Sequence, residues 1–166
     1  RFRVMPWYVL YTKSRNEKKL TQLLSEKGFD VYCPLQETVK QWSDRKKKVQ
    51  EPIFKSYIFV HLKNYAAQQV EVLQTNGAVR FLWWANKPGI VRDVEINAIK
   101  DFINEYKGSV ITVEFNNGEQ VKIKEGLLKD QVGKVIEIRT NKALLYLQSL
   151  GCNMIAEVPL QSLQKN

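Results

Sequence analysis

Residues Trp7 to Thr12 (WYVLYT) are aromatic and β-branched enough to read as a strand, apolar on both alternating faces. Helical spacing follows. Leu20, Leu23 and Leu24 form an apolar stripe, Ser14 and Glu17 stand at capping-box spacing, and Gly28 can take the left-handed conformation that ends a helix, so a helix is predicted over about 15–27. Extended patterns resume at Val31 to Val39 and at Phe54 to Leu62 (FKSYIFVHL), and the basic QWSDRKKKVQ between them suits a hairpin tip. Asn64 can cap a second helix with Ala66, Val70 and Leu73 on one face and Gly77 just past its end. Val79 to Trp84 (VRFLWW) reads as a strand and Lys87-Pro88-Gly89 as a turn. Asp93 caps a third helix whose Ile96, Ile99, Phe102, Ile103 and Tyr106 fall at helical spacing. The order β-α-β-β-α-β-α predicts a ferredoxin-like arrangement, an antiparallel sheet carrying helices.

After Gly108 helical periodicity gives way to short strands and turns. Ile111 to Phe115, the turn Asn116-Asn117-Gly118 and Gln120 to Lys124 read as a hairpin. Further strands are expected at Lys134 to Arg139, Leu144 to Gln148 and Ile155 to Val158, with turns at Glu125-Gly126, Asn141 and Gly151-Cys152-Asn153. Such a run predicts a small SH3-like β-barrel. The chain is therefore read as α+β with two domains, residues 1–107 and 108–166, joined by a short linker at 108–111.

Charge separates the same two parts. Residues 1 to 108 carry 19 Lys and Arg against 11 Asp and Glu, while residues 109 to 166 carry 7 against 6. The first part is suited to facing a polyanion and the second to something else, although solubility alone also accounts for such a balance.

Catalysis finds little support. The one histidine, His61, alternates with apolar neighbours in a predicted strand, and the carboxylates are scattered, with no nucleophile beside a base. The segment Gly126 to Lys134 lacks the glycine spacing and the hydroxyl residue of a phosphate-binding loop. Cys33 and Cys152 stand alone among apolar residues, which suggests neither a disulfide framework nor a metal motif. No cofactor is expected. No stretch reaches the length of a membrane span and no apolar signal core follows Arg1 and Arg3, so a reducing cytoplasm is the expected setting, with no membrane partner and a monomeric chain.

The informative excess is aromatic: Trp7, Tyr8, Tyr11, Tyr57, Phe59, Phe81, Trp83 and Trp84 lie in the first-domain strands. A sheet with helices on one face normally alternates apolar with polar residues, and these strands do not. Either both faces are covered internally, or one presents an apolar patch for a partner. Basic residues form two groups, Lys13, Arg15, Lys18 and Lys19 at the first helix and Arg45, Lys46, Lys47 and Lys48 at the predicted hairpin tip. Each group is either a solvated face or a set of phosphate contacts that gives salt-sensitive binding without base selection. Gln74, Thr75 and Asn76 could read exposed bases, or simply end their helix.

WYVLYTKSRNEKKL at 7–20, CPL at 33–35 and EPIFKSYIFVHL at 51–62 resemble the amino-terminal (NGN) domain of the NusG and RfaH family, and VKIKEGLLKDQVGKVIEI at 121–138, with Gly126 and Gly133, resembles the KOW motif that follows it. The basic WSDRKKK insertion looks most like UpxY-type antiterminators of polysaccharide operons. The resemblance implies a transcription elongation and antitermination factor that docks on the clamp helices of the RNA polymerase β′ subunit, holds the clamp closed and suppresses pausing and termination. Matching motifs place Tyr11, Phe54 and Tyr57 at the docking pocket, with Phe54 and Tyr57 in the third strand and Trp7, Tyr8 and Phe59 in support. Lys13, Lys19, Gln74, Thr75 and Asn76 match positions that touch the non-template DNA strand. Asn76-Gly77 stands where RfaH-like proteins have Arg-Gly, and Ile53-Phe54-Lys55-Ser56-Tyr57 stands where the family carries a proline, which leaves base preference and the strand's start open. The KOW barrel would recruit ribosomal protein S10 or a termination factor. The alternatives are a general NusG housekeeping factor and a ribosome-associated RNA-binding KOW protein.

Overall fold

A computed structural model describes residues 6–115, the backbone of 135–139, and residues 142–157. The predicted turn at 116–118, the strand at 120–124 and both KOW glycines lie outside the described residues. Two compact units are present, Arg1–Pro34 with Phe54–Asp93, and Leu35–Ile53 with Val94–Asn166.

The first unit is built on β1 (Trp7–Thr12), α1 (Glu17–Glu26) and β2 (Asp30–Tyr32). The second contributes the next two strands, β3 (Leu35–Trp42) and β4 (Arg45–Pro52), and the first resumes with β5 (Tyr57–His61), α2 (Tyr65–Leu73), β6 (Ala78–Phe81), the short pair β7 (Trp83–Trp84) and β8 (Lys87–Pro88), and β9 (Ile90–Val91). The main sheet runs β2-β5-β1-β6, every pairing antiparallel, with β9 continuing beside β1. That is the ferredoxin-like order the sequence predicts. β1 reads as apolar on both faces because both are covered along most of its length, Tyr8 and Leu10 in the cluster under the helices and Trp7 and Val9 on the opposite side.

One face of the sheet packs under α1 and α2. Tyr8, Leu10, Ile58, Val60 and Phe81 meet Leu20 and Leu24 of α1 and Val72 of α2 in one buried cluster. The helix α2 is rotated relative to the expectation, since Ala66 and Val70 are exposed while Tyr65, Val72 and Leu73 face the cluster. Tyr65 fixes that phase by packing its ring against both Tyr8 (4.8 Å) and Phe81 (5.1 Å). Asn64 caps α2 as expected, its Oδ1 accepting from Ala67 N at 3.2 Å.

Three local expectations are corrected. The capping box at α1 is not made: the helix begins at Glu17, Asn16 makes no side-chain cap, and the Glu17 carboxylate bonds elsewhere. The turn after Trp84 is Ala85-Asn86, both at positive φ (54° and 62°), and Lys87-Pro88 already pairs back on Trp83-Trp84. Gly89 lies under the Trp84 ring, where an added Cβ would stand 2.1 Å from a ring carbon. Finally, Phe54 sits in the bend before β5, because that strand begins only at Tyr57.

The second unit holds the β3–β4 hairpin, α3 (Asp93–Glu105, of which Asp93 falls in the first unit), and a four-stranded antiparallel sheet of β10 (Ile111–Phe115), β11 (Val135–Arg139), β12 (Lys142–Leu147) and β13 (Cys152–Glu157) in the order β10-β13-β12-β11. This is the small β segment the sequence predicts after Gly108. Both β12 and β13 are longer than expected: Leu147 pairs with Cys152 and Tyr146 with Asn153, which pushes the turn back to 148–151, where Gly151 takes φ +61°. Ile96, Ile99 and Phe102 of α3 are buried at the spacing read from the sequence.

Two polar contacts tie the second unit together. Gln36 of β3 exchanges both amide bonds with the backbone of Ile111, at 2.8 and 2.9 Å, extending the hairpin base into β10. Glu95 of α3 is fully buried and accepts from Ser149 N at 2.9 Å and from Ser149 Oγ. Its charge, after burial itself, helps to push the Cys152 thiol up to about 12. Replacing a buried acceptor leaves its donors without partners. Glu95→Ala is therefore expected to lower unfolding stability by about 1–3 kcal/mol, read by denaturant or thermal melts, with the NMR amide signal of Ser149 shifting.

Candidate functional site

Alternation along β1 sends Trp7, Val9 and Tyr11 to the sheet face opposite α1 and α2, with His61, Phe59 and Tyr57 of β5 as their cross-strand partners. Most of this face is closed. The Trp7 ring stacks on His61 at 4.4 Å and its Nε1 donates to Asp93 Oδ1 at 2.7 Å. Phe59 is fully buried, met by Phe54 edge-on at 5.5 Å and by Tyr32 at 6.4 Å. Of the two alternatives the sequence leaves open, internal cover holds for most of this face, because neighbouring aromatics cover one another.

What stays accessible is one end of the face. Tyr57, Tyr11 and Arg80 lie side by side across β5, β1 and β6. The two tyrosine rings are half-buried and 5.5 Å apart, and the exposed Arg80 guanidinium sits 5.4 Å from the centre of the Tyr11 ring. Arg80 was not singled out in the sequence; its signal is the register of β6 against β1, which only pairing reveals. Tyr8 falls on the other face, inside the cluster with Tyr65 and Phe81. Phe54 is buried and supports the face from below instead of presenting a ring.

The bend that carries Phe54 into Tyr57 is clamped from two sides. Ser56 takes φ +68°, its N donates to Glu17 Oε2 at 2.7 Å, and its carbonyl accepts from Thr12 N at 2.8 Å. Glu17 is itself buried. Its carboxylate leaves the helix start because the bend amide is the costlier group to leave unpaired.

A second group forms where β1 ends. Lys13 N donates to Gly77 O at 2.8 Å, which brings the segment after β1 against the loop after α2. Gly77 has φ +103°, and Asn16 lies 3.4 Å from where a Cβ would stand. Lys13, Arg15, Lys19, Gln74 and Asn76 are exposed around this junction. Thr75 is not available there: it is buried, its Oγ1 donating to Glu71 O and accepting from Lys27 Nζ at 2.8 Å.

The third group lies on the hairpin in the second unit. Arg45, Lys46, Lys47 and Lys48 begin at the tip as expected, Arg45 closing the Ser43-Asp44 turn opposite Trp42, and run on as the start of β4. Strand alternation divides them between two faces. All four are exposed. Among the described residues no group of three His, Cys, Asp or Glu side chains could hold a metal, and no helix is long and apolar enough to cross a membrane.

Fold and surface define a two-part α+β module, ferredoxin-like in its main sheet and all-β in its C-terminal stretch, whose accessible features are an aromatic sheet end and clustered cations. The family model described as "Transcription termination factor nusG" matches residues 5–100, and the chain belongs to the NusG family. The transcription termination/antitermination protein NusG of Halalkalibacterium halodurans is 25% identical over 173 residues, spanning 96% of this chain and 97% of that protein. The corresponding NusG of Staphylococcus carnosus is 29% identical, spanning 96% and 94%. A solved structure on domain interaction in Thermotoga maritima NusG aligns over 92% of this chain and 93% of that one, with a TM-score of 0.48 and 18% identity.

Cys33 offers a probe of the Glu17 clamp. Its thiol is pushed up to about 11, chiefly by burial and in part by Glu17, against the opposing pull of a hydrogen bond with Thr21 and the charge of Lys18. The fold therefore favours the neutral thiol, and its contribution to stability is lost as pH rises through about 11. Iodoacetamide is expected to modify Cys33 about a hundredfold more slowly at pH 8 than a thiol at the ordinary value of 9.0, rising about tenfold per pH unit. Glu17→Gln should accelerate the reaction, as mass spectrometry of the alkylated peptide will read.

Proposed function

We propose that this protein is a transcription elongation and antitermination factor that binds RNA polymerase at the β′ clamp helices and suppresses pausing and termination. The observation that carries the reading is the half-open Tyr11–Tyr57 pair with Arg80 beside it, at the end of a sheet face whose remainder is closed. A paired aromatic surface with one cation gives a helical partner rigid apolar contact and a point of charge complementarity. The Glu17–Ser56 bond keeps Tyr57 in register, so little ordering cost remains for binding. Membership of the NusG family supplies the partner class. Bridging the polymerase cleft would hold the clamp closed by favouring one conformation, with no bond made or broken.

Lys13, Arg15, Lys19, Gln74 and Asn76 are proposed to meet the non-template DNA strand, with the backbone bond between Lys13 and Gly77 holding the two segments together. Lys and Arg would neutralise phosphates while the two amides read base edges. Thr75 supports that loop from within. The C-terminal β segment is proposed to recruit a protein, ribosomal protein S10 or a termination factor. The basic hairpin insertion favours operon-specific action of the UpxY type, and a cytoplasmic monomer is expected.

Two experiments test this. Pull-down with core RNA polymerase is expected to show Tyr11→Ala and Tyr57→Ala each weakening capture by on the order of tenfold or more, as loss of a central aromatic contact should. Binding by both at parental strength, with folded variants by circular dichroism, overturns the docking assignment. For operon specificity, chromatin profiling of the tagged protein is expected to place it on a few transcription units. Occupancy that follows polymerase across the genome would instead make it a general factor.

A further inference from the structure

The β3–β4 hairpin carries a feature outside the proposed polymerase and DNA contacts. Residues directly opposite in an antiparallel pair point to the same side. The register Trp42↔Arg45, Gln41↔Lys46, Lys40↔Lys47 and Val39↔Lys48 therefore sorts the hairpin into two unlike faces. One holds Trp42, Arg45, Lys40 and Lys47. The other holds Gln41, Lys46, Val39 and Lys48. On the first face Lys40 is drawn back toward the hairpin base by its ion pair with Glu51, which leaves Arg45 and Lys47 flanking Trp42 at the tip.

Trp42 is 55% exposed, an unusual position for the largest apolar side chain, at the far end of a two-stranded ribbon. It shares the walls of a hollow of about 290 Å³ with Ser43, Asp44, Arg45 and Lys47. The chemistry of that hollow is specific in kind: a flat π surface, two cations, a hydroxyl and a carboxylate. An acidic peptide could satisfy the cations and donate a backbone amide to Asp44, but its carboxylates offer the indole no flat π partner. A nucleotide satisfies all of them. Its base can stack on the indole, its phosphates can meet Arg45 and Lys47, and a ribose 2′-hydroxyl can donate to Asp44 or Ser43. Deoxyribose lacks that donor.

We infer that the hairpin tip is a binding site for an unpaired nucleotide of single-stranded RNA, with Trp42 as the stacking platform, Arg45 and Lys47 as phosphate contacts, and Asp44 with Ser43 as acceptors for the ribose hydroxyl. Stacking on an aromatic residue is tolerant of sequence, because every base has a π face, and the cations make affinity fall with salt. Only one face of the ribbon does this. Lys46 and Lys48 contribute general positive charge. The site is independent of polymerase docking through Tyr11 and Tyr57, so either proposal can fail without the other.

The test uses the full chain with no polymerase, titrated by fluorescence anisotropy with labelled 12-nucleotide oligo(U) RNA and oligo(dT) DNA. The expected result is salt-sensitive binding of the RNA, weakened on the order of tenfold by Trp42→Ala and largely restored by Trp42→Phe, which keeps a ring. Arg45→Ser with Lys47→Ser should weaken binding more than Lys46→Ser with Lys48→Ser, although both pairs remove the same charge. DNA should bind several-fold more weakly than RNA, and Asp44→Ala should reduce that difference. Equal losses from the two lysine-containing pairs, or parental affinity of Trp42→Ala with an unchanged melting curve, would overturn the site. Equal binding of DNA and RNA by the parent would overturn its assignment to RNA, and binding of neither would overturn it outright.

Discussion

An interior strand with apolar residues on both sides has to be covered twice, and β1 imposes that requirement on the whole first unit. Tyr8 and Leu10 are covered by α1 and α2 through the cluster that also takes in Ile58, Val60 and Phe81. Trp7 and Val9 point the other way and are closed over as well, Trp7 by the stacked His61 ring and by Asp93. Only Tyr11, at the end of the strand, keeps part of its ring accessible beside Tyr57. The docking surface proposed above is the remainder of a face that the chain otherwise covers for itself.

Buried polar side chains give that scaffold its definition. Glu17 reaches from the start of α1 to a bend 39 residues away, Thr75 receives Lys27 across 48 residues, and Glu95 bonds the turn at Ser149 across 54. Each pins a turn that hydrophobic contact alone would leave free to shift, since apolar burial is non-directional while a buried acceptor fixes the position of its donor. Such groups are costly to leave without partners, so they specify one arrangement more sharply than they add stability. In the first unit the pinned turns are those that present Tyr57 and the loop of Gln74 and Asn76. Positioning and the proposed recognition thus fall to different residues, buried ones and exposed ones respectively.

Membership of the NusG family joins these pieces to transcription, while charge says where they differ in use. The aromatic row of Tyr57 and Tyr11 suits a protein partner, and the cations around Lys13 and along β4 suit phosphates. On β4 the alternation of the strand turns a run of four consecutive cations into two pairs with unlike neighbours, one beside an exposed indole and one beside Gln41 and Val39. A net charge treats the four as equivalent. Their surroundings do not.

Sequence alone determined the three helices, most of the strands, the ferredoxin-like order, the buried stripe of α3 and the turns at Gly28 and Gly77, because periodicity and left-handed backbone preference are local properties carried by neighbouring residues. It also fixed that Trp7, Tyr8 and Tyr11 belong to one strand, though the resemblance set Tyr8 beside residues of the opposite face. Tertiary structure alone decided the rotation of α2 onto Tyr65 and Val72, the placement of Phe54 beneath Phe59, the inward turn of Thr75 and the partnership of Glu17 with Ser56. The Tyr65–Tyr8 contact, the Thr75–Lys27 bond and the Glu17–Ser56 bond join residues far apart in the chain, and Phe54 reaches Phe59 through the bend that Glu17 pins. No local pattern encodes such a choice, because the group that satisfies a buried donor or fills a gap is known only once distant segments have been brought together.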